Sequence, residues 1–305
     1  MSGDNEETTP RRSIPTREAG GSEPAPDDES VSKAAAEQRA LPEPIEPERG
    51  PLAAGQRPLR IVAVTGARGG AGRTVIASNL ALYLSTIGRK VILVDADPSG
   101  ANLHTVLGMR RPISLPRAGR LGARRDGTAL IEEVTVRTPH PGLRLLYAGL
   151  DEPGPSASRS ERLARLLKKL RGIDAEYVVV DMGVGTGRDI VDAYLEADMA
   201  LFVTLPEPSA LENTYQFFRA AFTRYVRQRA KDAGEHEELQ KHLKALGVAP
   251  APLDLYRELS RQRASTAQVV HDAMETFRPY LIINQTRLRA DLQLALRGAR
   301  RTAHR

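Results

Sequence analysis

The sequence predicts an α/β protein, a parallel sheet flanked by helices in three layers, with a helical insertion before the last strand. Three observations carry this reading. Short runs that are apolar throughout recur along the chain, as in "LRIVAVT", "KVILVDAD" and "YVVVDMG". Helical patterns separate them, and a glycine-rich turn follows the first run directly. Strands buried on both faces lose polar alternation, and strands alternating with helices favour a parallel sheet covered on both sides.

The chain has 305 residues, enough for one large α/β domain with tails. Residues 1–57 are rich in Pro, Glu, Ser, Ala and Gly and have almost no periodic apolar residues. They cannot bury enough surface to offset their ordering entropy, so they are read as a disordered acidic tail. Residues 58–305 are read as the folded domain, which the glycine-rich loop at residues 65–75 marks as a P-loop nucleotide-binding one. Order begins at Leu59 with "LRIVAVT". "TVIASNLALYLSTIG" follows as a helix, with Val75, Leu80, Leu84 and Ile87 near helical spacing and Gly88 ending it. "KVILVDAD" is the second strand, and residues 110–127 are a basic Gly/Pro-rich loop. "LRLLYAG" is the third strand, followed by a helix that aligns Leu163, Leu166, Leu167 and Leu170. "YVVVDMG", "MALFVTLPEP" and "YLIINQT" complete six strands.

Between the fifth and sixth strands lies a helical stretch, residues 209–277, far longer than the dozen or so residues a crossover needs. Residues 230–277 are read as an insertion, either a small subdomain or partner surface, or an elongated solvated helix pair.

Composition excludes several function classes. There is no Cys, which removes disulfides, iron–sulfur and thiolate zinc sites, and a cysteine nucleophile. That absence fits a cytoplasmic protein. The start of the chain lacks the basic and apolar regions of a secretory signal. No Trp is present and aromatic content is 4%, so stacking on single-stranded nucleic acid is disfavoured. The net charge is +6, but residues 1–50 hold 12 acids against 6 bases, leaving the remainder near +12. A basic body can meet DNA or an anionic membrane surface, or be merely a solvated surface.

The chemistry gathers around "TGARGGAGRTV", residues 65–75. Strand, glycine-rich turn and helix occur in the order a phosphate-binding loop requires. Gly69, Gly70 and Gly72 let backbone N–H groups approach an anion, and the helix N-terminus adds positive potential. Thr74 is placed to offer its hydroxyl to Mg²⁺. The second strand ends in "DADPSGANL" and the fourth in "DMGVGTG", both at the carboxyl edge of the sheet. Asp181 fits a carboxylate on the Mg²⁺ side, Asp95 supports the metal site, and Asp97 orients an attacking water near a γ-phosphate.

At these residues the chain resembles the MinD/ParA family of P-loop ATPases. "RGGAGRT" is similar to the family's deviant Walker A signature, "VDADPSGANL" and "VVVDMGVGTG" to its two switch segments, and "VTLPEPSALENTYQFF" to its flagellar-positioning (FlhG-type) branch. The resemblance covers about residues 59–229 and 278–297.

It implies ATP and Mg²⁺ as ligands, with Gly69, Gly70, Ala71, Gly72, Arg73, Thr74 and Val75 binding nucleotide and Asn284, in "IINQTR", contacting adenine. It also implies a nucleotide-dependent homodimer for spatial positioning or partitioning. A protein partner would engage the dimer face, the insertion or the tail.

Two departures stand out. The family's signature lysines are both arginines here: Arg68, whose position reaches across the dimer, and Arg73, whose position bridges phosphates within the subunit. Charge is kept and shape is not, because guanidinium is a planar fork and ammonium a compact point. The family also continues into another strand beyond "ALRGARRTAHR", so a C-terminal strand is read as missing. Residues 287–301 pattern as a basic helix, with Leu288, Leu292 and Leu296 on one face. It is either a crossover helix or a contact to DNA or anionic lipid. Slow ATP hydrolysis, and a degenerate adaptor that does not hydrolyse, both remain open. A dinucleotide dehydrogenase is disfavoured because Gly70-x-Gly72 is not followed by a third glycine.

Overall fold

A computed structural model describes residues 58–97, 102–110, 134–148, 159–246, 249–288 and 293. The acidic tail, most of the basic 110–127 loop and all but the first two residues and position 293 of the 287–301 segment lie outside them. Arg287 and Leu288 are described and are not helical.

Seven strands form one sheet in the order β3-β4-β2-β5-β1-β6-β7. The strands are β1 (Arg60–Gly66), β2 (Val91–Asp95), β3 (Val136–Arg137), β4 (Leu143–Tyr147), β5 (Tyr177–Val184), β6 (Met199–Thr204) and β7 (Tyr280–Ile283). β1 pairs in parallel with β5 and β6, β2 with β4 and β5, and β6 with β7. The expected sheet of six parallel strands needs correction at one edge. β3 is a seventh strand and runs antiparallel to β4. It is two residues long, too short to leave a periodic pattern in the sequence.

Alternate residues of each central strand feed two separate cores, as the pleat requires. Ile61, Ala63, Ile92, Val94, Val178 and Val180 face one side, and Val62, Val64, Leu93, Leu145 and Val179 the other. On the first side lie α3 (Arg159–Leu170) and α4 (Arg188–Glu196). Leu163, Leu166, Leu167 and Leu170 of α3 are all buried there. Glu161 in its first turn and Lys168 and Lys169 in its last complement the helix dipole.

On the opposite face packs α1 (Arg73–Thr86), followed after β2 by the short α2 (Leu103–Val106). The α1 face differs from expectation. Its buried residues are Arg73, Ala77, Ser78, Ala81 and Ser85, whereas Val75 and Ile87 are 53% and 50% exposed. Small side chains line the centre of the contact with the sheet, Leu80 and Leu84 pack half-buried against the same core, and Val75 and Ile87 are turned outward.

Between β6 and β7 run α5 (Pro208–Asp232), α6 (His236–Leu246), α7 (Pro252–Gln262) and α8 (Ala264–Thr276). The first half of α5 packs on the sheet, with Phe217 edge-on to Tyr194 and 4.4 Å from Phe202 between ring centroids. Its second half joins the next three helices around a core of Phe222, Val226, Leu239, Leu243, Leu255, Leu259 and Val270.

Candidate nucleotide site

The carboxyl ends of β1, β2 and β5 meet where the glycine-rich loop leaves β1. Asp95 and Asp181 are direct neighbours in the register of β2 and β5. The loop turns into α1 through Gly72, at φ 88° and ψ 17°, a left-handed conformation that glycine adopts without strain. Gly70 is also left-handed, at φ 76°.

Two side chains from the end of β7 hold this loop. Asn284 Nδ2 donates to Ala71 O and Gln285 Nε2 to Gly70 O, each at 2.8 Å. A trans peptide is planar, with its C=O and N–H on opposite sides. Fixing the Gly70 and Ala71 carbonyls toward β7 therefore turns the N–H groups of Ala71 and Gly72 away from it. Asn284, expected at adenine, is thus committed through its amide nitrogen to the loop. Gln285 was missed by sequence reasoning; its φ of 58° makes it the single non-glycine residue with positive φ among the described residues.

Arg73 is 6% exposed, and its guanidinium folds back over the loop. Nη1 donates to Arg68 O at 3.0 Å and lies 3.5 Å from Gly66 O, while Nη2 stands 3.9 Å from Asp97 Oδ2. Burial lowers the Arg73 pKa, and the charges of Asp181 and Asp97 oppose that shift. Arg68 points elsewhere. It is half exposed, ion-pairs with Glu207 at the start of α5 and lies 3.5 Å from Ser209 Oγ.

Asp181 is 1% exposed, and its Oδ1 accepts from Gly183 N–H at 3.2 Å. Burial raises its pKa, against a hydrogen bond from the Thr74 side chain, the Gly183 N–H and the Arg73 charge. Asp95 Oδ2 accepts from Leu103 N–H at 3.0 Å, so this carboxylate also anchors α2. Burial pushes the Asp95 pKa up to about 7. Asp95 Oδ1 and Asp181 Oδ2 are buried without a hydrogen-bond partner among the described residues. Two orphaned carboxylate oxygens beside a threonine hydroxyl are a donor set of the hard-oxygen kind that Mg²⁺ takes.

Asp97 lies against Gly183, where an added Cβ would meet its Oδ1 at 2.6 Å. The β5 end is also tied to β1: Thr65 Oγ1 donates to Gly183 O at 3.2 Å, and Gly185 N–H to Gly66 O at 3.2 Å. Of the predicted residues, Gly69 to Thr74, Asp95, Asp97, Asp181 and Asn284 converge on this region. Val75 follows in the first turn of α1, with its side chain outward and its carbonyl accepting from Ser78 and Asn79.

The sequence profile of the CobQ/CobB/MinD/ParA nucleotide binding domain matches residues 62–265, spanning the loop, both carboxylate-bearing strand ends and most of the helices before β7. The chain belongs to this family. Chromosome partitioning protein ParA of Caulobacter vibrioides is 33% identical over 230 residues, 71% of this chain and 80% of that protein. Antiactivator FleN of Pseudomonas aeruginosa is 29% identical over 164 residues, so the chain spans only about half of it, 56%. A solved structure of the septum site-determining protein MinD from Pyrococcus horikoshii, complexed with Mg-ADP, is 28% identical over 52% of this chain and 63% of that chain, with a TM-score of 0.41. As a member of the MinD/ParA family, the chain carries a P-loop fold whose glycine loop is followed by Arg73 and Thr74. None of its described helices is long and apolar enough to cross a membrane.

Proposed function

We propose that this protein binds ATP with Mg²⁺ and dimerises on doing so, acting in spatial positioning or partitioning within the cell with slow hydrolysis. The observation that carries the reading is the convergence of Thr74, Asp181, Asp95 and Asp97 on a glycine loop whose N–H groups are oriented by Asn284 and Gln285. The Thr74 hydroxyl and the Asp181 carboxylate would hold Mg²⁺, with Asp95 behind them. When bound, the ion would neutralise charge on phosphate oxygens. The loop N–H groups and the N-terminus of α1 would receive the phosphates. Asp97, beside Arg73, would orient the attacking water. Arg68 would leave Glu207 and reach a partner protomer's phosphates, as a guanidinium acting in trans.

One observation favours a second reading, a nucleotide-poor adaptor. The Arg73 guanidinium is already satisfied by the loop's own carbonyl of Arg68 and faces Asp97. An anion must compete with those contacts, and the planar fork fills more of the loop than an ammonium would.

Titration of ATP with and without Mg²⁺, followed by size-exclusion chromatography, separates the two readings. Mg²⁺-dependent ATP binding with a shift to dimer is expected. No binding at millimolar ATP would overturn the first reading. Arg73→Lys adds the second arm: activity that appears only in this variant identifies the parent as an adaptor.

A further inference from the structure

A second cationic site lies just beyond the end of β5, at the start of α4. A cavity of about 330 Å³ opens between α4, α5 and α6, lined by Thr186, Arg188, Val191, Thr223, Arg227 and Leu243, with Arg224 at its rim. Its size is near the lower end of the roughly 300–1,000 Å³ typical of small-ligand pockets. Its lining combines guanidinium and hydroxyl groups with the apolar side chains of Val191, Ala220 and Leu243.

The charges there do not balance. Arg224 is paired, with Nε and Nη2 on the two oxygens of Asp192 at 2.6 and 3.2 Å. Arg188 and Arg227 make no hydrogen bond or ion pair among the described residues, and Arg227 Nε is buried without a partner. The electrostatic neighbours of Arg227 are two other cations: its pKa is lowered by burial and then by Arg224 and Arg188. A partly buried cation facing like charges is costly unless an anion offsets it. Thr186 and Arg188 flank Gly187, the N-cap of α4, so the helix adds positive potential at the same mouth.

We propose that this cavity binds a small phosphomonoester, its phosphate held by Arg188 and Arg227 and its apolar body set against Val191, Ala220 and Leu243. Guanidinium groups match phosphate oxygens bidentately. A concave pocket with an apolar wall fits such a ligand better than a duplex, whose phosphates need an exposed ridge. The proposal stands independently of nucleotide binding at the glycine loop.

The test uses the full chain and phenyl phosphate, with inorganic phosphate in parallel, at constant ionic strength and read by ³¹P line broadening. Phenyl phosphate is expected to bind, more tightly than inorganic phosphate, and to lose at least about tenfold in affinity, some 1.4 kcal/mol, in the R188Q/R227Q double variant. The double variant should also melt at a higher temperature without ligand, because two mutually repelling charges have gone. A double variant that melts lower would assign the arginines to structure and overturn the proposal. So would phenyl phosphate binding that R188Q/R227Q leaves unchanged, no saturation below about 10 mM, or displacement by duplex DNA alone.

Discussion

Gln285, in a left-handed conformation at φ 58°, donates its side-chain amide to Gly70 O across 215 positions of sequence. A non-glycine residue pays about 1–2 kcal/mol to adopt this conformation. The structure keeps it where it aims an amide at the phosphate loop. Gln285→Gly should relieve the strain and lose the hydrogen bond. Gln285→Ala should lose the bond and keep the strain. Both should weaken ATP binding by about three- to tenfold, the worth of one hydrogen bond of roughly 0.5–1.5 kcal/mol. In urea unfolding, the glycine variant should be about 1 kcal/mol more stable than the alanine variant. Equal ATP affinity in parent and both variants would show that the loop needs no help from β7.

Gly183 has φ +72° and presses against Asp97. Gly183→Ala introduces a Cβ at 2.6 Å from Asp97 Oδ1, together with a strained backbone. The carboxylate must move, and with it the counter-charge of Arg73. The expected result is a loss of ATP turnover of about 100-fold, the size of effect that a displacement of roughly 1 Å produces. ATP binding, measured in the same samples, should fall far less. Turnover within threefold of the parent would remove Asp97 from the reacting geometry.

Asp95 makes stability depend on pH in a stated direction. Its folded pKa, about 7, lies above its ordinary value of 3.8, so the folded chain holds a proton that the unfolded chain releases. The stability it contributes is full below about pH 4 and is lost as pH rises toward 7. At about 1.36 kcal/mol per pKa unit, the loss is at most about 4 kcal/mol. Asp95→Asn keeps an acceptor for Leu103 N–H and abolishes the titration. The urea midpoint of this variant should exceed that of the parent at pH 8 and converge with it only below about pH 4. A parent and variant with parallel pH profiles would place the raised proton affinity elsewhere.

Phe217 is fully buried, and its ring meets Phe202, Tyr194 and Phe218 with centroids 4.4, 5.1 and 5.8 Å away. Phe217→Ala should cost about 3–5 kcal/mol, through lost transfer energy and a residual cavity. Chemical denaturation reads it directly. A cost below 1 kcal/mol would mean that α5 repacks freely on the sheet.

What the sequence discloses here follows from how far apart the interacting residues lie. The glycine loop is legible because glycine is required where φ is positive, as at Gly70 and Gly72, and because Thr74 follows at fixed spacing. Asp95 and Asp181 are legible because each ends an apolar run, and parallel pairing brings such ends together. The contact of Gln285 with Gly70 is not legible, since no local pattern marks a side chain that acts on a loop 215 residues away. The inner face of α1 escaped for a different reason. Ala77, Ala81, Ser78 and Ser85 pack against the sheet by being small, whereas a hydrophobic pattern points to Leu80 and Leu84, which are half-buried there, and to Val75 and Ile87, which are exposed. The orientation of Arg73 belongs to the first kind. Its residue type is in the sequence, but its bond to Arg68 O depends on the path of the folded loop.

The two amides that hold the loop come from the end of the last described strand, while the loop itself follows the first. Order of synthesis therefore matters. A chain emerging from the ribosome presents residues 65–75 early, and β1 can pair with β5 once residue 184 has appeared. The loop then has its glycines but lacks Asn284 and Gln285, so its carbonyls are free to turn and its N–H groups have no fixed aim. On the proposed reading, full affinity for a phosphate arrives late, with residue 285, and a nascent or truncated chain would bind nucleotide more weakly until its sheet is complete.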